Sequence, residues 1–170
     1  MKNIGLKRGA VRVLSHQDVW HTNFEKEKTL ILSLKNKHIK SIEHVGSTSV
    51  PGVPAKPIID INVGIDNFYN ASKLIKNLSQ AGYEFVLEPR KFQWLFVKSD
   101  SGMETHYLKV IRYKGNYWNE YENFKKILMT NKKAFGQYKN LKLKLAENTS
   151  SDRKEYTKGK GNLIKNILGK

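Results

Sequence analysis

The sequence predicts a fold of the α/β class, a mixed β-sheet with helices packed on it, and three observations lead there. Apolar residues recur at helical spacing near the start of the chain and again from Tyr117 onward. Between those stretches lie runs of strand length that alternate or are continuously apolar. One amphipathic stretch of helical period interrupts the strands, so helices and strands are interleaved.

Taken in order, Ser15-His16-Gln17-Asp18 resembles a capping box with Asp in place of Glu, and Trp20, Phe24, Ile31 and Leu34 follow on one helical stripe. A helix over about 16–37 is expected, with the stripe facing the core. Ile39–Val45 reads as a short strand, Gly46–Lys56 as a loop, and Pro57–Ile65 as a second strand buried on both faces at its start. A helix over 67–80 follows through Phe68, Ala71, Leu74, Ile75 and Leu78, with Gly82 closing it. Three more strands are expected at Tyr83–Leu87, Phe92–Lys98 and His106–Arg112, with a turn at Ser99–Gly102. Helices over about 117–129, 132–147 and 152–168 complete the chain. In the second of these, Leu141, Leu145 and Ala146 face the core, and Lys139, Lys142 and Lys144 face outward.

With 170 residues, and neither repeat nor linker, the chain reads as a single domain, 1–170, large enough to bury a core unaided. It has no cysteine, which excludes disulfides, thiolate metal sites and cysteine nucleophiles. No stretch reaches the roughly 20 apolar residues that a membrane helix needs, and the N-terminus lacks the apolar core of a signal peptide. A cytoplasmic protein without a membrane partner is the expectation.

Charge points to polyanions. The 31 Lys+Arg outnumber the 15 Asp+Glu, for a formal +16, and the last 50 residues hold 13 of those bases against 4 acids. Lysine dominates, and it recognises phosphate with less geometric selectivity than arginine does.

The chemistry concentrates in one segment, Glu43-His44-Val45-Gly46-Ser47-Thr48-Ser49-Val50-Pro51-Gly52-Val53-Pro54-Ala55-Lys56-Pro57-Ile58-Ile59-Asp60-Ile61-Asn62-Val63. A strand ends in Gly46-Ser47, where the missing Cβ lets backbone N–H groups approach an anion. Ser47, Thr48 and Ser49 add hydroxyls. Pro51, Pro54 and Pro57 stiffen the loop and so preorganise it. Asp60 and Asn62 share one face of the next strand. An acid in an apolar strand needs a partner, and a divalent cation, Lys56 or the Gly46–Ser49 turn would each serve.

That stretch, HVGSTSVPGVPAKPIIDINV, is similar to the signature of the GrpB family. A Gly-Ser strand end followed by an aspartate 13 positions after Ser47 resembles the nucleotidyltransferase (polymerase-beta-like) superfamily. The likeness continues in His106-Tyr107-Leu108-Lys109-Val110, in Tyr138-Lys139-Asn140-Leu141-Lys142 and in Tyr156-Thr157-Lys158-Gly159-Lys160, and so covers about residues 10–168. The resemblance implies a nucleotidyltransferase-like fold with its C-terminal helices packed on the sheet, and in some relatives fusion to dephospho-coenzyme A kinase. Carried onto this chain, it implies that Gly46, Ser47, Thr48, Lys56, Asn62, Lys109, Lys125, Tyr156 and Lys160 surround a phosphate-bearing ligand. Asp60 would bind Mg²⁺, and Asp60 with His106 would act catalytically.

The chain departs from the catalytic pattern. Metal-dependent nucleotidyl transfer uses two carboxylates two residues apart and a third on a later strand, because two cations clamp the attacking and leaving oxygens. Here the second position is Asn62, the third acid has only Glu104 or Glu84 as candidates, and Lys125-Lys126 stand where the family has an Arg-Asp pair. Two functions therefore stand side by side: a Mg²⁺-dependent nucleotidyltransferase, and a non-catalytic module that binds a nucleotide, a coenzyme A-like metabolite or RNA. His44 and His106 are further candidates to line the pocket. Tyr113, Tyr117 and Trp118, flanked by Arg112 and Lys114, form a cluster that either stacks a base or belongs to the core and its rim. His16 and His21 are five apart, which sets them on different helix faces and excludes a helical zinc pair. Neither a P-loop nor a G-x-G-x-x-G motif occurs.

Overall fold

The computed structural model describes residues 4–148 and 152–170. Its strands are β1 (Leu6–Lys7), β2 (Ile39–Val45), β3 (Ile59–Ile65), β4 (Tyr83–Arg90), β5 (Gln93–Asp100) and β6 (Met103–Arg112). Its α-helices are α1 (Val19–Ser33), α2 (Ile75–Gln80), α3 (Asn116–Thr130), α4 (Lys132–Asn148), α5 (Arg153–Gly159) and α6 (Gly161–Ile167), with 3₁₀ turns at Ser47–Ser49 and Phe68–Leu74. The six strands form one mixed sheet in the order β2-β3-β6-β5-β4, with β1 pairing to β6. Among the described residues only β3 and β6 run parallel; the other pairings in the sheet are antiparallel.

The central pair is covered on both faces, which buries its apolar residues. Ile59, Ile61, Val63, Ile65, Leu108, Val110 and Ile111 are fully buried. One face packs against Trp20, Phe24 and Ile31 of α1 and against Ala71, Leu74 and Leu78 beyond β3. On the other face, Trp118 of α3 lies so close to Gly64 that a Cβ there would meet its ring at 2.6 Å. A second apolar cluster joins Val50 and Val53 of the proline loop to Leu128, Ala134 and Tyr138 of the C-terminal helices. The loop is also fastened at its C-terminal end: Leu14 and Ala55 exchange a pair of backbone hydrogen bonds at 2.9 Å, and the Pro57 carbonyl accepts one from the Gly5 N–H.

Several expected boundaries move, each for a local reason. The first helix starts at Val19 and its N-cap Asp18 makes no side-chain bond, so no capping box forms at Ser15. It ends at Ser33, shortly before Lys35 turns left-handed at φ +49°. The stretch expected as a helix over 67–80 is 3₁₀ for its first half, entered through an Asn67 side chain that accepts the Tyr69 N–H, and α-helical only from Ile75. The last helix breaks at Lys160, flanked by Gly159 and Gly161. Strand β6 begins three residues early, and Thr105 is an extra residue in its pairing with β5, since Lys98 faces His106 while Ser99 already faces Glu104. That bulge turns Glu104 to the side of Tyr107. The Leu6–Lys7 strand was too short to show a period in the sequence.

Candidate functional site

The turn after β2 is built around Gly46. Its φ is +69°, a conformation that costs glycine little, and a Cβ there would sit 2.8 Å from an Asp60 carboxylate oxygen. The aspartate and the turn are thus in contact across the adjacent strands, where Val45 and Asp60 are register partners. Ser49 closes the turn by donating its hydroxyl to the Gly46 carbonyl at 2.7 Å. Thr48 is held by His44, whose Nε2 lies 2.9 Å from the threonine hydroxyl. The His44 ring stacks on Phe24 at 4.8 Å, and burial, with Lys125 nearby, lowers its pKa to about 3, so it is neutral and structural. Ser47 pairs with the Tyr138 hydroxyl at 3.1 Å.

Facing the turn is a cavity of about 190 Å³. Ser47, Thr48 and Asp60 form one wall, and Lys56, Lys142 and Lys160 contribute three ammonium groups. The Tyr156 ring lies between elements here, 5.2 Å from the Lys56 nitrogen and 4.4 Å from that of Lys160, favourable cation–π distances. Burial lowers the pKa of Lys56 to about 8, helped by the neighbouring charges of Lys160 and Arg153. Burial likewise brings Lys160 to about 8. Lys142, 2% exposed, is pushed down by burial and by Lys160. Three crowded, desolvated lysines hold their protons weakly, and an anion among them would relieve that repulsion.

Asp60 offsets them only in part: its charge works against the lowering of Lys56, Lys142 and Lys160, but it is itself already paired. The Lys109 ammonium donates to its carboxylate at 2.8 Å. Burial raises the Asp60 pKa, but Lys109's charge and hydrogen bond outweigh this and hold it below the usual carboxylate range. A divalent cation at Asp60 would therefore share the site with Lys109 and stand against three further lysines. These residues do not fit a Mg²⁺ ion held by the protein alone. Among the described residues no group of three or more His, Asp or Glu side chains is placed to hold a metal. Of the two candidates for a third acid, Glu104 is bound to Arg153 and Glu84 is exposed on β4; neither lines the cavity.

The structure brings together Gly46, Ser47, Thr48, Lys56, Asp60, Tyr156 and Lys160, with Lys109 behind Asp60. It does not bring in the other three. His106, expected in the pocket, projects instead to the α1 side of the sheet, 6.4 Å from the Tyr83 ring and near Glu27, because it is one residue out of phase with Tyr107. Lys125 is spent on the His44 carbonyl at 2.9 Å. Asn62 shares Asp60's face, as strand alternation requires, but is buried at 1% and does not line the cavity. Sequence reasoning missed Lys142, placing it outward. It lies four residues after buried Tyr138 and three before Leu145, a stripe that was visible, but a lysine is the side chain least expected there. It also missed Arg153, which bonds to Glu104, to the Tyr107 hydroxyl and to the carbonyls of Ala10 and Lys7, and so fastens α5 to the sheet. Of the aromatic cluster, Trp118 is core, 6% exposed and edge-on to Tyr113 at 5.0 Å.

Comparison with known proteins agrees with this architecture. A family model described as GrpB protein matches residues 10–170. A curated relative, the glutamate-rich protein GrpB of Alkalihalophilus pseudofirmus, is 32% identical over 170 residues, covering 97% of this chain and 98% of its own. The crystal structure of the conserved protein GrpB from Enterococcus faecalis superposes with a TM-score of 0.84 at 26% identity, covering 93% of this chain and 95% of the other. A dephospho-CoA kinase from Mycolicibacterium paratuberculosis is 28% identical over 81 residues, 46% of this chain and 20% of its own length.

Proposed function

We propose that this chain, which belongs to the GrpB family, binds the phosphate groups of a nucleotide or coenzyme A-like metabolite in the lysine-lined cavity beside the Gly46 turn. The observation that carries the reading is the convergence of Lys56, Lys142 and Lys160 on the hydroxyl-bearing turn of Ser47 and Thr48. Three cations around 190 Å³, with the one lining carboxylate already neutralised by Lys109, make a site for a compact polyanion. The volume falls below that of a site enclosing a whole drug-sized ligand, so the rest of the molecule would project outward. The partial likeness to a dephospho-CoA kinase supports a ligand of the coenzyme A class.

The second reading is Mg²⁺-dependent nucleotidyl transfer on a nucleotidyltransferase-like fold. What favours it is the contact of the Gly-Ser turn with Asp60; what weighs against it is Lys109 on that carboxylate and an amide at position 62. Here Mg²⁺ would arrive on the nucleotide's own phosphates, a common mode for this ion.

Thermal unfolding tests the first reading. Inorganic pyrophosphate, ATP and coenzyme A at about 100 times their Kd should each stabilise by about 2.7 kcal/mol. For a chain of this size that raises the Tm by roughly 5–10 °C. Lys160→Met should remove the response to pyrophosphate; an equal response in wild type and variant would refute the assignment. Turnover of labelled nucleoside triphosphate with Mg²⁺ or Mn²⁺, lost in Asp60→Asn, would instead establish the second.

A further inference from the structure

A cavity of about 570 Å³, larger than the lysine site of about 190 Å³, lies elsewhere on the molecule. It opens beyond the ends of β3 and β6, whereas Asp60 and Tyr107 lie near their beginnings. Seven residues of β-strand place the two sites on the order of 20 Å apart.

Its walls are aromatic and basic. Phe68, Tyr69, Phe92 and Tyr117 line it together with Lys91 and Arg112, and no carboxylate does. Asp66, next to Asn67 in the chain, is turned to His38 and Asn70. Tyr69 is 86% exposed, an unusual display of a large ring that folding does not require. Phe92 is exposed too, and its backbone is strained. It is the second residue of the two-residue Lys91–Phe92 turn and adopts φ +65°, a position suited to Gly or Asn. Its N–H donates to the Glu88 carboxylate at 2.7 Å, and its ring stands edge-on to Phe68 at 5.5 Å. The strain is kept at an exposed ring whose edge-on contact is with the half-buried Phe68.

The cationic side of the cleft is open. Arg112 is exposed and forms no ion pair among the described residues, unlike Arg90, which is held by Glu120. Next to it, Gly115 opens α3 without a side-chain cap, so the N-cap supplies no side-chain acceptor to the first-turn amides.

The geometry points to a second site, which takes a nucleotide unit: a base lying among Tyr69, Phe92 and Tyr117, and its phosphate on Arg112 at the start of α3. Aromatic faces stack any base, and a guanidinium without a partner grips a phosphate through two parallel donors. The ligand is either a free mononucleotide or one residue of a single strand, and the experiment separates these.

Amide chemical shifts are recorded while wild-type protein is titrated with AMP and, separately, with a ten-residue oligoadenylate RNA. Shifts are expected at Asn67–Tyr69, Phe92 and Gly115–Tyr117, with Kd weakened at least fivefold in Tyr69→Ala and in Arg112→Gln. Tyr69 is so exposed that its loss leaves the fold intact, which its unchanged Tm verifies. Inorganic pyrophosphate, lacking a base, should leave these resonances in place. RNA binding tighter than AMP, with affinity falling steeply in salt, identifies a strand as the ligand, whereas comparable affinities identify the free nucleotide. Absence of shifts at these residues with millimolar AMP and with RNA, or binding that neither variant weakens, overturns the proposal.

Discussion

At the residue scale, Gly46, Asp60 and Lys109 form a chain of dependencies. Gly46→Ala places a Cβ within 2.8 Å of the Asp60 carboxylate in a left-handed backbone. A loss of about 1–3 kcal/mol is expected, read as a lower urea midpoint with an unchanged slope. The Asp60–Lys109 pair is partly accessible, with side-chain exposures of 30% and 14%. Asp60→Asn should therefore cost about 1–3 kcal/mol, less than the 3–5 kcal/mol of breaking a fully buried pair. Lys109→Met should cost a similar amount, and the double variant Asp60→Asn/Lys109→Met less than the sum of the two; strict additivity would show that the pair is not coupled. The positions of Gly46, Ser47, Thr48 and Asp60 were legible in the sequence because turn glycine, hydroxyls and strand period are local signals. Lys109 as the partner was not, since which cation reaches an acid depends on strand order: β3 meets β6 across 46 residues of chain.

Among the elements, α5 matters most, because it delivers Tyr156 and ends at Lys160. Arg153 ties it to β6 and to the N-terminal segment through four acceptors, and Asp152 caps its first turn by accepting from Lys154 and Glu155. Arg153→Ala should thus weaken pyrophosphate binding more than tenfold, though Arg153 does not line the cavity, and should lower the Tm by several degrees. Wild-type affinity in that variant would mean that α5 holds its place without the tie. Helices and strands were readable where the apolar pattern was sustained, as in β3, α3 and α4. The break at Lys160 was not, because Leu163, Ile164 and Ile167 continue the helical stripe across it and only the flanking glycines mark a hinge. The Thr105 bulge was equally hidden: an inserted residue inverts the facing pattern, and a period-2 reading then assigns Glu104 to the wrong side.

For the molecule as a whole, the formal charge of +16 acts in two ways. Spread over the surface it attracts any polyanion, and that attraction is screened by salt. Inside the cavity it is concentrated on groups that hold their protons weakly. Lys56 and Lys160, each near 8, are protonated below that pH and lose charge above it. A bound anion raises both values, so affinity for sulfate, which stays a dianion throughout this range, should be level well below pH 8 and should fall above it, by up to about tenfold per unit for each lysine involved. Surface attraction alone gives no such break, because ordinary lysines keep their charge to about pH 10. No helix among the described residues is long and apolar enough to cross a membrane.

Calorimetric titration of sulfate, which carries no titrating proton at pH 8, in two buffers of different ionisation enthalpy at that pH, reads affinity and proton uptake by the protein together. Saturable binding is expected, with the apparent enthalpy shifting between buffers by the amount that net uptake of protons dictates, and with both signals lost in Lys160→Met. Binding without proton uptake, or binding that persists in Lys160→Met, would contradict the lysine cavity as the phosphate site.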